Sequence, residues 1–155
     1  HTVLTSDAPN KGWKIPETTL VYPWIVRLFP DIRYIHWVRD PRDCILGSHL
    51  TDDLNDFGIR YEKTDDVRTN RAISWLYQRE IMHDTPAPAH VLAVRFEDMV
   101  FHQDETLARL EKFLGIPMAK IEMRTDSVGR YKTDDGVHMF PFFQAEMDEL
   151  GYAAE

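Results

Sequence analysis

Two short apolar runs, RYIHWV at 33–38 and VLAVRF at 91–96, constrain the fold more than any other feature of the chain. Each has strand length and is rich in β-branched or aromatic residues. Between them, residues 67–83 carry Ile73, Leu76, Tyr77 and Ile81 at helical spacing. Strand, helix, strand in that order calls for a crossover, and a crossover makes the pairing parallel. VLAVRF is nearly continuously apolar, which predicts a strand buried on both faces.

The remaining segments fit an α/β layout of helices around a parallel sheet. Residues 1–13 are polar and predict a loop. Pro16 suits the first turn of a helix, where its missing N–H would be unpaired anyway. Leu20, Trp24 and Leu28 recur every four residues, which predicts one apolar stripe on a helix ending before Pro30. Pro23 interrupts that pattern and predicts a kink or a late start. Residues 41–50 predict a short helix opened by Pro41, and the acidic stretch 52–66 predicts a surface loop. TPAPAH ends the 67–83 helix. The clearest helix is 105–114, with Asp104 to cap it, Leu107, Leu110 and Phe113 on one face, and Gly115 and Pro117 to stop it. A last helix is expected from about Phe142 to Leu150. The expected organisation is a single α/β domain over residues 1–155, with ligands at the carboxyl ends of the strands.

Composition narrows the function. Hydrophobic residues make up 43% of the 155 residues and charged residues 28%, ordinary for one globular domain with a real core. The net charge of −8 argues against general nucleic-acid or membrane partners, so an anionic ligand needs a local cluster of Arg and Lys. No apolar run approaches about 18 residues and no charged-then-apolar leader opens the chain, so neither a membrane span nor a signal peptide is expected. A lone Cys44 permits no internal disulfide and favours a reducing, cytoplasmic compartment. The chain begins with His1 and not Met, as expected of a processed, tagged or truncated product.

The stretch YIHWVRDPRDCILGSHL, 34–50, is where chemistry is expected. Arg39 falls at the carboxyl end of a predicted strand, and Pro41 opens a helix two residues later. Unpaired N–H groups and the helix dipole favour an anion there, and a guanidinium adds a bidentate partner for phosphate or sulfate. The competing reading is a surface ion pair, Arg39–Asp43 or Asp40–Arg42, which contributes little.

The same stretch, LFPDIRYIHWVRDPRDCILGSHL, resembles the 3′-phosphate-binding segment of sulfotransferases that use 3′-phosphoadenosine 5′-phosphosulfate (PAPS). WKIPE (13–17) resembles their Lys-x-Pro segment, VLAVRFEDMV their Arg-Tyr-Glu-Asp-Leu strand, and TLARLEKFLGIP the helix after it. SVGRYK (127–132) is similar to their late Gly-Arg-Trp motif, and ELGY to their usual ending. The motifs run in the family's order over about residues 13–152.

The resemblance implies a P-loop-NTPase-like fold and sulfuryl transfer from PAPS to a hydroxyl or amine, without a metal and leaving PAP, adenosine 3′,5′-bisphosphate. It also implies roles. Arg39 binds the 3′-phosphate. The family usually has a Ser eight residues after this Arg; here Gly47 stands there and Ser48 is one further on. One helical step rotates a side chain by roughly 100°, so either the helix starts differently or backbone contacts replace the hydroxyl. Arg130 and Lys132 close over the same phosphate from a loop, the alternative being a solvated loop. Phe96 stands against the adenine or is plain core. Glu97 and Asp98 brace the strand end. Lys14 matches a lysine that stabilises charge on the transferring group, its catalytic role; the alternative is an exposed loop lysine. Catalysis of this kind is mostly positioning and preorganised positive charge.

One part of the pattern is missing. The family's 5′-phosphosulfate loop is a Gly-containing strand-to-helix loop, and the glycines at 12, 47, 58, 115, 129, 136 and 151 form none. The chain therefore reads as a carboxyl-terminal portion of a sulfotransferase, with an incomplete sheet, an exposed apolar edge and no turnover by itself. The alternative is a non-catalytic module that binds 3′-phosphoadenosine or a protein partner. The acceptor, whether small molecule, sugar or peptide, is not readable, nor is the oligomeric state. The seven His residues show no zinc spacing, and TDDLNDFG lacks the oxygen ligands of a calcium loop.

Overall fold

The computed structural model describes residues 5–152. Strands β1 (Arg33–Val38) and β2 (His90–Arg95) pair in parallel, from Arg33↔His90 to Val38↔Arg95. Among the described residues the sheet has these two strands. Helix α3 (Val67–Asp84) supplies the crossover, and the Asp66 carboxylate caps it by accepting from the N–H groups of Arg68 and Thr69. The predicted α/β arrangement is present in this small form. No helix among the described residues is long and apolar enough to cross a membrane.

Alternation along the strands puts Val38 and Val94 on opposite faces of the sheet. A separate core forms around each. Val94 packs with Met99 of α4 (Phe96–Phe101) and with Leu107 and Leu110 of α5 (Gln103–Leu114). Val38 packs with Ile45, with Ala72 of α3, and with Phe143, Met147 and Tyr152 around α6 (Gln144–Leu150). Helix α5 carries the predicted apolar face and stops at Gly115, whose φ of 74° is a left-handed cap. Its N-cap is His102 and not Asp104, and no side chain caps it. Helix α6 starts after a 3₁₀ turn at Pro141–Phe143, two residues later than the sequence predicts.

Three expectations about burial need correction. Helix α1 (Tyr22–Leu28) does start late, after a 3₁₀ segment at Pro16–Val21. Its predicted stripe, however, faces water: Trp24 is 61% exposed and Leu28 66%, whereas Tyr22 is 2% exposed. A 3₁₀ segment turns every three residues, so a spacing of four does not carry one face through both pieces. Tyr22 instead meets Tyr34 of β1, with ring centroids 4.7 Å apart. In β2 only Val94 is fully buried, because in a two-stranded sheet both strands are edges. On α3 the buried residues are Asn70, Ala72, Ser74 and Arg79, not the apolar series. Asn70 and Ser74 pack on a polar loop: the Ser74 hydroxyl donates to the Thr51 carbonyl, and Asn70 exchanges hydrogen bonds with Thr64. Ala72 and Arg79, on the opposite side of the helix, meet the Val38 core and Glu146 of α6.

Two loop expectations hold in outline. Thr5–Trp13 is turn, bend and coil, and residues 1–4 of that predicted loop lie outside the described residues. The acidic stretch 52–66 is loop, with one 3₁₀ turn at Leu54–Phe57 that buries Leu54.

Candidate functional site

The chain leaves β1 at Val38, directly beside Arg95 at the end of β2. Arg39 and Asp40 follow, and then α2 (Pro41–Cys44). Helix α2 is four residues long and does not reach position 50. The Ile45 carbonyl accepts from the Arg71 guanidinium of α3 at 3.0 Å. The His49 N–H, which would have continued the helix onto that carbonyl, donates to Asp52 at 2.8 Å. Gly47 and Ser48 therefore lie past the helix, Ser48 on exposed coil. A Cβ at Gly47 would meet nothing within 4 Å, so no close approach requires glycine there.

The N-terminus of α2 is not open to an anion. Its own N-cap, Asp40, accepts from the Arg42 N–H at 2.9 Å. The same carboxylate takes the Arg42 guanidinium at 3.1 and 2.8 Å. This Asp40–Arg42 pair is not the surface pair weighed from the sequence, since its side chains are only 8% and 7% exposed. Glu97 accepts from the Asp40 N–H at 3.0 Å, the brace expected of it.

Arg39 itself projects beside this turn and is about a quarter exposed. Its Nη2 donates to the Ser127 carbonyl and lies 3.6 Å from Asp43. Its guanidinium sits 4.7 Å from the centre of the Phe96 ring. Its Nε is buried and, among the described residues, has no hydrogen-bond partner. A buried, unpaired N–H of a cation is costly, and it is the kind of donor that an anionic ligand satisfies. Phe96 opens α4 and also meets Trp37, ring centroids 6.4 Å apart.

Asp43 joins this turn to a distant segment. It is fully buried. Its carboxylate accepts from the Gly129 N–H at 2.7 Å and the Tyr131 N–H at 3.1 Å. Arg130 donates to the Asp43 carbonyl at 3.2 Å. The loop turns sharply at Gly129, φ 73°, into a 3₁₀ turn at Arg130–Thr133. Tyr131 lies under the Arg42 guanidinium, 4.0 Å from its ring centre. Arg130 and Lys132 are exposed. Thus Arg39 and the Gly129–Tyr131 turn, far apart in sequence, are drawn to Asp43, with Phe96 against Arg39 and Lys132 following on the clamped turn. Nearby is a hollow of about 210 Å³, lined by Arg42, Arg95 and Lys132 but also by the carboxylates Asp40 and Glu97; of the expected site residues its lining includes Lys132 and not Arg39, Phe96 or Arg130. It is smaller than a nucleotide pocket. A larger hollow between α1 and α3 contains none of the expected site residues.

Lys14 stands apart, exposed in the coil before Pro16. Sequence reasoning overlooked Asp43 as a clamp, although Asp four residues after Arg39 was the available signal. Trp37 is 45% exposed beside Phe96. Cys44 is no nucleophile: burial above all pushes its thiol up to about 12. His83, Glu146 and Glu149 bring three potential ligand atoms within 4.8 Å of one another. Arg79 already takes that place, donating to Glu146 at 2.8 Å and lying 3.3 Å from Glu149.

A model of the sulfotransferase family matches residues 2–120. The chain belongs to the sulfotransferase family. No curated protein and no solved structure matches it. The sulfotransferase match includes both strands, Arg39, Asp43 and Phe96. It stops short of the Gly129–Lys132 loop that Asp43 holds.

Proposed function

We propose that this chain holds the nucleotide end of a sulfotransferase site that moves a sulfuryl group from PAPS to a hydroxyl or amine. Arg39 takes the 3′-phosphate, Arg130 and Lys132 close over it, and Phe96 lies along the adenine. The observation that carries the reading is Arg39: a guanidinium at a strand end, with a buried unpaired N–H, facing a second cationic segment that Asp43 clamps in place. An entering phosphate takes the edge of Arg39 now given to the Ser127 carbonyl. The PAPS group supplies the transferable sulfuryl; the residues here hold and neutralise its phosphate. Lys14 is assigned to charge on the transferring group. Gly47 and Ser48 were the family's place for a phosphate-binding hydroxyl, and Ser48 is assigned at most a minor part from its exposed coil.

This reading implies that the two-stranded sheet is part of the family's larger P-loop-like parallel sheet. It assigns the 3′-phosphate part of the site to these residues, since none of the glycines builds a 5′-phosphate loop. A small-molecule, sugar or peptide hydroxyl is the proposed acceptor class. Calorimetric titration with PAP, with 5′-AMP as control, tests the reading. Binding that requires the 3′-phosphate and is lost in Arg39→Ala supports it. Equal affinity for the two nucleotides, or full affinity in Arg39→Ala, refutes it.

A further inference from the structure

The peptide between Arg39 and Asp40 is held by a carboxylate outside its own segment. Glu97 is 9% exposed at the start of α4. One oxygen accepts from the Asp40 N–H at 3.0 Å. The other accepts from the Tyr152 hydroxyl at 2.7 Å. Each oxygen is thus engaged, one by the turn that presents Arg39 and one by the last described residue of the chain. Tyr152 is well placed to hold its end. It is 5% exposed, its ring lies under the Arg95 guanidinium at 4.3 Å, and its N–H donates to the Met147 carbonyl at 2.8 Å. Met147 is in turn fully buried against the core that holds Val38, the residue before Arg39. Burial, and then the bond to Glu97, raise the Tyr152 hydroxyl well above its ordinary range, so it stays protonated and donates throughout the working pH range.

We infer that Glu97 and Tyr152 are positioning residues: through the Asp40 N–H they fix the direction in which Arg39 leaves β1, and so tune the grip on the nucleotide 3′-phosphate. The inference rests on Arg39 being the phosphate ligand. It reaches beyond the family match, because Tyr152 and α6 lie outside residues 2–120. A carboxylate is suited to this place. It offers two acceptor oxygens at a fixed separation, and a charged acceptor roughly doubles the strength of each bond. With the Tyr152 hydroxyl removed, the carboxylate is free to turn toward the neighbouring Arg95, and the hold on Asp40 loosens.

The test uses Tyr152→Phe, Glu97→Gln and Glu97→Ala in the whole chain. Two quantities are read: hydrogen exchange of the Asp40 amide, and the ratio of PAP to 5′-AMP affinity. Tyr152→Phe keeps the ring in the core and removes one hydroxyl. It is expected to speed Asp40 exchange and to lower the PAP-to-AMP ratio, each by about five- to tenfold, with 5′-AMP affinity unchanged. Glu97→Gln keeps an acceptor for Asp40 and an N–H for the Tyr152 oxygen, and is expected to stay within about threefold of wild type. Glu97→Ala is expected to lose more than Tyr152→Phe; if it fails to fold, the Tyr152→Phe and Glu97→Gln pair still decides. A purely structural role would lower thermal stability without moving the ratio, and that result overturns the inference. So does Tyr152→Phe with wild-type exchange and ratio. If wild type itself shows no dependence on the 3′-phosphate, the functional reading fails, and Asp40 exchange alone then decides whether Glu97 and Tyr152 hold the turn.

Discussion

Replacing Asp43 by Ala should open the candidate site and destabilise the whole fold. The side chain is fully buried and its two oxygens accept from the Gly129 and Tyr131 N–H groups at 2.7 and 3.1 Å. Hydrogen bonds to a charged acceptor contribute about 1.5–3 kcal/mol each, and removing the acceptor leaves two buried donors unpaired. Arg39, 3.6 Å away, also loses its carboxylate partner. The expected loss is about 4 kcal/mol, a large part of the roughly 5–15 kcal/mol that holds such a domain together. At about 2–4 °C per kcal/mol for a chain of this size, the melting temperature should fall by about 8–16 °C. Asp43→Asn offers one oxygen where two are needed, so it should lose about half as much. Thermal unfolding gives the total, and amide exchange at Gly129 and Tyr131 locates it. A drop below about 2 °C for Asp43→Ala, with those two amides still protected, would show that Asp43 does not clamp the loop.

Arg39→Ala should abolish dependence of nucleotide binding on the 3′-phosphate and leave the melting temperature within a few degrees, as read by calorimetry and thermal unfolding. Ser48→Ala should leave PAP affinity unchanged, because Ser48 lies on exposed coil past α2; a tenfold loss would return the hydroxyl to the site. Leu28→Gln should change stability by less than about 0.5 kcal/mol in urea unfolding, since the side chain is largely in water; a loss above about 2 kcal/mol would mean the stripe is buried after all. His36 should titrate at about 4, because burial above all, and Arg79 next, disfavour its charged form, with Glu149 opposing them. With its folded value below the ordinary value of about 6.5, the unfolded chain binds more protons between those limits. Stability from this group is therefore complete above about pH 6.5 and falls as pH drops toward 4. An imidazole resonance titrating near 6.5 would refute the burial argument.

Local pattern was enough for β1, α3, α5 and the parallel pairing, because short-range periodicity and caps decide those elements. It failed where a distant residue supplied the deciding bond. Helix α2 reads as ten residues in isolation, yet Arg71 takes the carbonyl that its next turn needed. On α3 the apolar series is only half-buried, whereas Asn70, Ser74 and Arg79 are buried with Ala72 because loops and α6 bring polar partners to them. At the candidate site, Arg39 was legible from its place at a strand end. The roles of Asp43 and Tyr152 were not, and Glu97 was legible as a brace for the strand end but not in its bond to Tyr152, because each depends on which backbone N–H or hydroxyl the fold delivers to a carboxylate.

The clamps around Arg39 span unusual lengths of chain: 57 positions from Asp40 to Glu97, and 86 from Asp43 to Gly129. Closing such loops costs entropy before any contact repays it. Helices α3 and α5 need only neighbours, and the strands can pair once the crossover exists. The Gly129 loop has no partner until β1, α2 and the turn after Ser127 are all in place. It is therefore expected to close late during folding, and a ligand gripped by the closed loop would add its binding energy to the clamp that Asp43 already supplies.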